Sequence, residues 1–269
     1  MTLPLIDLCQ CHLITALQAR IRATEQAVGQ RFGFEVVQHD NATAFFAHRW
    51  PRTAHTLPFH RIFHYRAPGP KDPLLDRLVD EGIDAVIEVL PGPHQPAAAR
   101  ILGAYGFEPA WQVPWFHLPL AEVDDSAPPD PSIHKTDPSD LAQVARVLGA
   151  GYGYAGAERE AWQMVAQFGY QAPDFACFVA IQDQQAVAAG ILHLDQTSAL
   201  VDGAATLPGY RGRGLQKALL VERLRYAKRQ GATHAFSRTG AGSISHANLE
   251  KVGMCLLVQS TAWRRAEIR

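Results

Sequence analysis

One stretch, Ser198 to Gly231 (SALVDGAATLPGYRGRGLQKALLVERLRYAKRQG), limits what this chain can fold into more than any other. The apolar run Ala199 to Thr206, short and bounded by turn residues, predicts a buried strand. The turn Leu207-Pro208-Gly209-Tyr210 follows, then Arg211-Gly212-Arg213-Gly214. A helical pattern then runs to Gln230 and stops at Gly231, with Lys228 and Arg229 in its last turn, where cations suit the helix dipole. Glycines let backbone approach a ligand closely, and the first turn of a helix leaves N–H groups unpaired. With two arginines, the stretch is built to hold phosphate or pyrophosphate. An Arg-Gly run alone also fits a solvated turn or an RNA-binding tail; the order strand, loop, helix favours the anion site.

Composition narrows the partners. The chain has 269 residues, 47% hydrophobic, with 25 Lys and Arg against 26 Asp and Glu, a formal net charge of −1. That balance argues against nucleic acid as partner. The basic helix residues Arg223, Arg225, Lys228 and Arg229 read as a solvated face. No apolar run is long enough to span a membrane, and the N-terminus shows neither a basic region nor a cleavage site, so a cytoplasmic protein is expected. Cys9-Gln10-Cys11-His12 lacks a second ligand pair at zinc spacing; no metal is expected.

The hexad Arg211-Gly212-Arg213-Gly214-Leu215-Gln216 resembles the Q/R-x-x-G-x-G/A loop of the GNAT superfamily of acyl-CoA N-acyltransferases. Gln216 departs from the usual Gly or Ala, a change that is tolerable where the side chain points away. Thr233 to Arg238 reads as the next strand, and Gly242 to Met254 as the following helix with an ending similar to the family's. The resemblance covers about Ile133 to Arg265. It implies acetyl-CoA as acyl donor, with the backbone of Ala204, Ala205 and Thr206 beside the pantetheine arm. Arg211, Gly212, Arg213, Gly214, Leu215, Gln216 and Lys217 would cradle the pyrophosphate, and Asn248 would add a cofactor contact. Leu249 stands where many members carry a tyrosine general acid, which leaves thiolate protonation to Ser245 or water.

The remaining chain reads as alternating elements. An opening helix is expected from Ile6 to Val28, and a hairpin from Phe34 to Gln38 and Ala42 to Ala47. A His-, Arg- and Pro-rich segment runs from His48 to His60; helices Pro73 to Glu81 and Pro96 to Tyr105 flank a strand, Ala85 to Leu90. Gly106 and Gly253 each close a helix, 147 positions apart, and each precedes a tryptophan-containing tail (Trp111 and Trp115; Trp263). Two similar halves follow. The expected fold class is α+β, two GNAT-like mixed-sheet domains in tandem. Residues 1–121 form a degenerate first half, 122–131 an acidic, proline-rich linker, and 132–269 the N-acetyltransferase domain. The first half has Arg66-Ala67-Pro68-Gly69-Pro70-Lys71-Asp72-Pro73 where a glycine loop would stand, and prolines lack N–H donors. A fragment from about Ser132 is expected to carry the cofactor site. The run Asp137-Pro138-Ser139-Asp140 is expected to cap the helix Leu141 to Ala150.

An amine near pKa 10 is mostly protonated at neutrality and cannot attack a thioester. Asp202, sharing a strand face with Ala204 and Thr206, is the expected general base. Tyr154, Glu158 and His193 are expected near the acceptor, a small-molecule or peptide amine. The working unit is expected to be a monomer, its halves forming a pseudo-dimer, or a homodimer. The competing reading is a non-catalytic acyl-CoA-binding sensor or scaffold.

Overall fold

The structure is a computed structural model that describes residues 2–51, 59–67, 69, 71–126 and 128–265. The first half runs α1 (Thr2–Val28), β1 (Phe34–His39), β2 (Ala42–Ala47), β3 (Arg61–Phe63), α2 (Pro73–Asp80), β4 (Val86–Val89), α3 (Gln95–Ala104) and β5 (Phe107–Pro119). The second runs β6 (Ile133–Lys135), α4 (Leu141–Gly151), α5 (Gly156–Gly169), β7 (Phe175–Gln182), β8 (Gln185–Asp195), β9 (Ser198–Thr206), α6 (Leu215–Arg229), β10 (His234–Arg238), α7 (Ile244–Lys251) and β11 (Cys255–Arg265). Most of the segment His48 to His60, with Pro68, Pro70 and Ala127, lies outside the described residues. Among the described residues no helix is long and apolar enough to cross a membrane.

All strands join one sheet in the order β1-β2-β3-β4-β11-β5-β10-β9-β8-β7-β6. The halves repeat one pattern, antiparallel pairings and then a parallel one: two before β3 with β4 in the first half, three before β9 with β10 in the second. Their last strands are exchanged. β5 lies between β10 and β11, whereas β11 pairs with β4 of the first half. The β5–β11 ladder has two irregularities, passing over Ala110 and Leu257. These positions are 147 apart, the offset that separates Gly106 from Gly253.

Side-chain alternation sends neighbouring strand residues to opposite faces. Ala44, Phe46 and Ile62 pack with Leu74, Leu75 and Leu78 of α2 and with Ile101 and Leu102 of α3. Phe45 and Phe63 face the other way, and join Cys9, Leu13 and Ile14 of α1. The same cluster takes in Trp115, Leu200 and Phe236, so α1 crosses the seam between the halves. In the second half α6 and α7 lie on the α2/α3 side, and α4 packs on the α1 side.

Two local expectations change. Asp137 caps a preceding 3-10 turn, Pro138–Asp140, through Ser139 N–H, and gives no cap to α4. The expected solvated helix face is largely buried: Arg223 is 1% exposed and Arg225 9%. The positions come from a helix packed on both sides, and long basic side chains find carbonyls there. Arg225 donates to Asp124 O at 3.0 Å and Lys228 to Val123 O at 2.7 Å, fastening the acidic segment to α6.

The strand exchange argues against halves that fold apart. A fragment 132–269 lacks β5, so β10 and β11 lose the strand between them and expose unpaired backbone edges. Expressed alone, it is expected to show no cooperative thermal transition and no coenzyme A binding, with both restored on mixing with 1–131. A fragment that bound coenzyme A with the affinity of the whole chain would contradict this.

Candidate active site

β9 leads through a 3-10 turn, Pro208–Tyr210, into the Arg-Gly loop and then α6. Gly212 (φ +77°) and Gly214 (φ +79°) take the left-handed region that glycine enters without penalty. Gly214 caps α6 with no side chain of its own, and the N–H groups of Gly214, Leu215, Gln216 and Lys217 have no backbone acceptor among the described residues. The arginines brace the loop. Arg211 donates to Gly151 O (2.9 Å) and Thr206 O (3.2 Å), and Arg213 to Gln182 Oε1 (3.1 Å) and Gly209 O (3.2 Å). A cleft of about 540 Å³ is lined by Ala204, Ala205, Thr206, the whole run Arg211 to Lys217, Ser245 and Asn248. Every residue expected at the cofactor therefore lines one cleft. The donor set, free N–H groups with Lys217 beside them, suits a pyrophosphate.

The matching helix of the first half begins at Pro73, which has no N–H to offer, and is closed to anions by a further device. Asp72 caps α2, its carboxylate accepting from Leu74 N–H (3.0 Å), Leu75 N–H (3.3 Å) and the Tyr65 hydroxyl (2.8 Å). The N–H groups are taken, and a negative charge stands where a phosphate would enter.

Past the loop, the sheet opens. β9 and β10 pair only over Ser198–Leu200 and His234–Phe236; thereafter Ser237 Oγ donates to Val201 O at 2.8 Å and the strands part. The β8–β9 register slips between Gly190 and Ile191, which face Ala204 and Asp202, leaving Gly203 (φ +41°) as a bulge; Asp202 and Ala204 therefore stand opposite adjacent β8 residues and do not share the strand face expected of them. Arg223 pins this bulge from below, its Nη1 donating to Ile191 O (2.8 Å) and Asp202 O (3.0 Å). Burial pushes its pKa down to about 10, still a cation at neutrality. Gly190 is required for it, since a Cβ there would stand 2.7 Å from Arg223 Cζ.

The gap between β9 and β10 holds a cavity of about 200 Å³ lined by Val201 to Ala204, Tyr152, Ser245 and Leu249, among others. The Asp202 carboxylate has no hydrogen-bond or ion-pair partner among the described residues. Gln216 turns inward rather than away, donating to Ser245 Oγ (3.0 Å) and accepting from Asn248 Nδ2 (3.1 Å), so that α6 and α7 are bridged. Leu249 is buried, at 3% exposure.

A third cavity, about 360 Å³, adjoins it and shares Tyr152, Asp202, Gly203, Arg238 and Thr239. Tyr154 lines it, whereas Glu158 and His193 do not. Glu158 is 3% exposed on α5. His193, 1% exposed, bonds His12 Nε2 through Nδ1 at 2.8 Å, and His12 Nδ1 meets Ser198 Oγ at 2.7 Å. Burial and His193 push His12 down to about 3, so the pair is uncharged at neutrality. Sequence reasoning missed Arg20, Arg61 and Trp111, which line this cavity from the first half. No local signal marks them, because none belongs to a motif.

Residues 141–254 match the model of the Acetyltransferase (GNAT) family. The second half is a GNAT-family domain. Solved structures extend the likeness across the chain. A GCN5-related N-acetyltransferase from Kribbella flavida superimposes with a TM-score of 0.59 at 16% identity, covering 92% of this chain and 95% of its own. A functionally unknown conserved protein from Staphylococcus epidermidis gives 0.60 at 10% identity, with 87% and 95% covered. A tandem GNAT protein from the clavulanic acid biosynthesis pathway gives 0.54 at 15%, with 72% and 68% covered. No curated protein matches the sequence. The fold is thus α+β, two GNAT-like mixed-sheet halves in tandem, with the GNAT-family match confined to the second.

Proposed function

We propose that the chain transfers an acyl group, acetyl above all, from acyl-CoA to a primary amine of a small molecule or peptide. The observation that carries this reading is continuity: the cleft with the free N–H groups runs into the β9–β10 gap, and Asp202 lines both that gap and the cavity beyond. Acyl-CoA would lay its pyrophosphate on the turn Arg211 to Lys217, with its pantetheine along Ala204 to Thr206. The unpaired edge of β9 offers backbone donors and acceptors to the amides of that arm and to the thioester carbonyl. Asp202 takes a proton from the incoming ammonium, directly or through a water. The freed amine attacks, a C–N bond forms as the C–S bond breaks, and the proton that the nitrogen then sheds is relayed through Ser245 Oγ, which takes it up as it gives its own to the departing thiolate. A thiol near pKa 8.5 needs little help to leave, so a buried Leu249 in place of a tyrosine does not forbid turnover.

The buried Leu249 and the Gln216 bridge also give a second reading some footing, that of an acyl-CoA-binding sensor or scaffold. Thiol release separates the two. Acetyl-CoA offered with amines, amino acids and peptides is expected to release free thiol together with an equal amount of amide. Tight coenzyme A binding without thiol release for any acceptor would leave only the sensor reading.

A further inference from the structure

The cavity beyond Asp202 has an unusual charge inventory. Three guanidinium groups line it, Arg20 from α1, Arg61 from β3 and Arg238 from β10, against one carboxylate, Asp202. Arg238 is already neutralised. Glu88, 2% exposed, accepts from it at 2.5 Å, and also from Trp115 Nε1 (2.7 Å) and Ser260 Oγ (2.6 Å). The other two are not. Arg20 is 6% exposed; its Nη1 donates to the Tyr170 hydroxyl at 3.0 Å and it lies over the rings of Phe59, Trp162 and Tyr170, but its buried Nε has no hydrogen-bond partner among the described residues. Arg61 has no hydrogen-bond or ion-pair partner among the described residues. Burial and the neighbouring Arg238 push it down to about 10, so it remains a cation at neutral pH.

A guanidinium drawn out of water with no ion-pair partner is costly, and a ligand carboxylate in this cavity would offset that cost at buried Arg20 and partly buried Arg61. The same cavity is lined by Asp202, which also lines the β9–β10 gap. A molecule filling this space meets guanidinium groups, a carboxylate, and the rings of Trp111, Tyr154 and Trp162. A polycationic amine would be repelled by the guanidinium groups. A cavity of about 360 Å³ suits a compact acceptor, not a folded polypeptide.

We propose that the acceptor is a free amino acid or similarly compact amino-carboxylate, its carboxylate received by Arg61 and Arg20 and its amine placed toward Asp202. The proposal rests on the acyltransferase reading of the neighbouring cleft. It also assigns work to the half that has no cofactor loop, since Arg20 and Arg61 both come from it. Arg61 is the residue that sets specificity: it has donors to spare, and a guanidinium meets a carboxylate with two parallel bonds.

The test offers the whole chain acetyl-CoA with each of the free amino acids, their methyl esters, the matching decarboxylated amines, spermidine and ethanolamine phosphate. The preferred amino acid is expected to exceed its ester and its decarboxylated amine by about 10- to 100-fold in kcat/KM. Arg61→Gln should collapse that preference by raising KM for the acid, Arg61→Lys should restore part of it, and coenzyme A affinity serves as the check on folding. Esters or spermidine performing as well as the acids would overturn the proposal, and ethanolamine phosphate outrunning every amino acid would show the wrong anion. If no amine is acylated, the acyltransferase reading fails by itself. The anion site is then judged by binding: amino acids should raise the melting temperature of the wild type but not of Arg61→Gln. No rise with any amino acid would overturn it.

Discussion

Gly214→Glu is expected to abolish coenzyme A binding while leaving a folded protein. Gly214 sits at φ +79° as the cap of α6, where a Cβ would meet nothing within 4 Å. The space is open, so the backbone conformation supplies the strain, about 1 kcal/mol for a residue with a side chain. Helix α6 withstands that loss because Leu215, Leu219, Leu220 and Leu224 are buried in the second-half core. The affinity cannot survive it. A carboxylate would enter the turn whose free N–H groups are the proposed pyrophosphate donors, and it would both occupy them and repel the ligand, much as Asp72 does at the start of α2. A loss on the order of 10³-fold in affinity is expected by calorimetry, from several charge-assisted bonds replaced by repulsion. Gly214→Ala separates the two effects, keeping the strain and losing most of the affinity penalty. The wild type should bind one equivalent per chain. A stoichiometry near two would mean that Asp72 does not close the first half.

Asp202→Asn carries the second large effect, and it falls on turnover alone. The substitution preserves size and leaves the backbone carbonyl that accepts from Arg223 in place, so the bulge at Gly203 should persist. It removes the one carboxylate that lines both the gap and the acceptor cavity. Thiol release at pH 7 should fall by about 10²- to 10⁴-fold with coenzyme A affinity nearly unchanged, the pattern of a lost proton acceptor. The deficit should narrow as pH rises, because the acceptor amine then arrives already deprotonated. A variant within about threefold of the wild type at pH 7 would remove Asp202 from the mechanism.

What was legible in the sequence was local. The φ values of Gly212 and Gly214, the unpaired N–H groups of the first turn of α6 and the buried run of β9 depend on residues a few positions apart, and the residue types alone predict them. The repeat was legible for the same reason: a glycine closing a helix before a long strand marks the chain at both 106 and 253. The exchange of β5 and β11 was not, because a strand's edges accept any partner of suitable length, and the choice is made by surfaces from both halves at once. Nor was the fate of the charges. An arginine in a helix reads as a solvated cation until packing removes water from it, as it does at Arg223 and Arg20, 1% and 6% exposed. Whether a histidine belongs to a site or to a buried pair is decided likewise by what lies across from it, and for His193 that is His12, 181 positions away. Sequence determined the backbone of the Arg-Gly turn; tertiary structure decided which side chains surround the neighbouring cavity, because desolvation and pairing depend on distance in space and not along the chain.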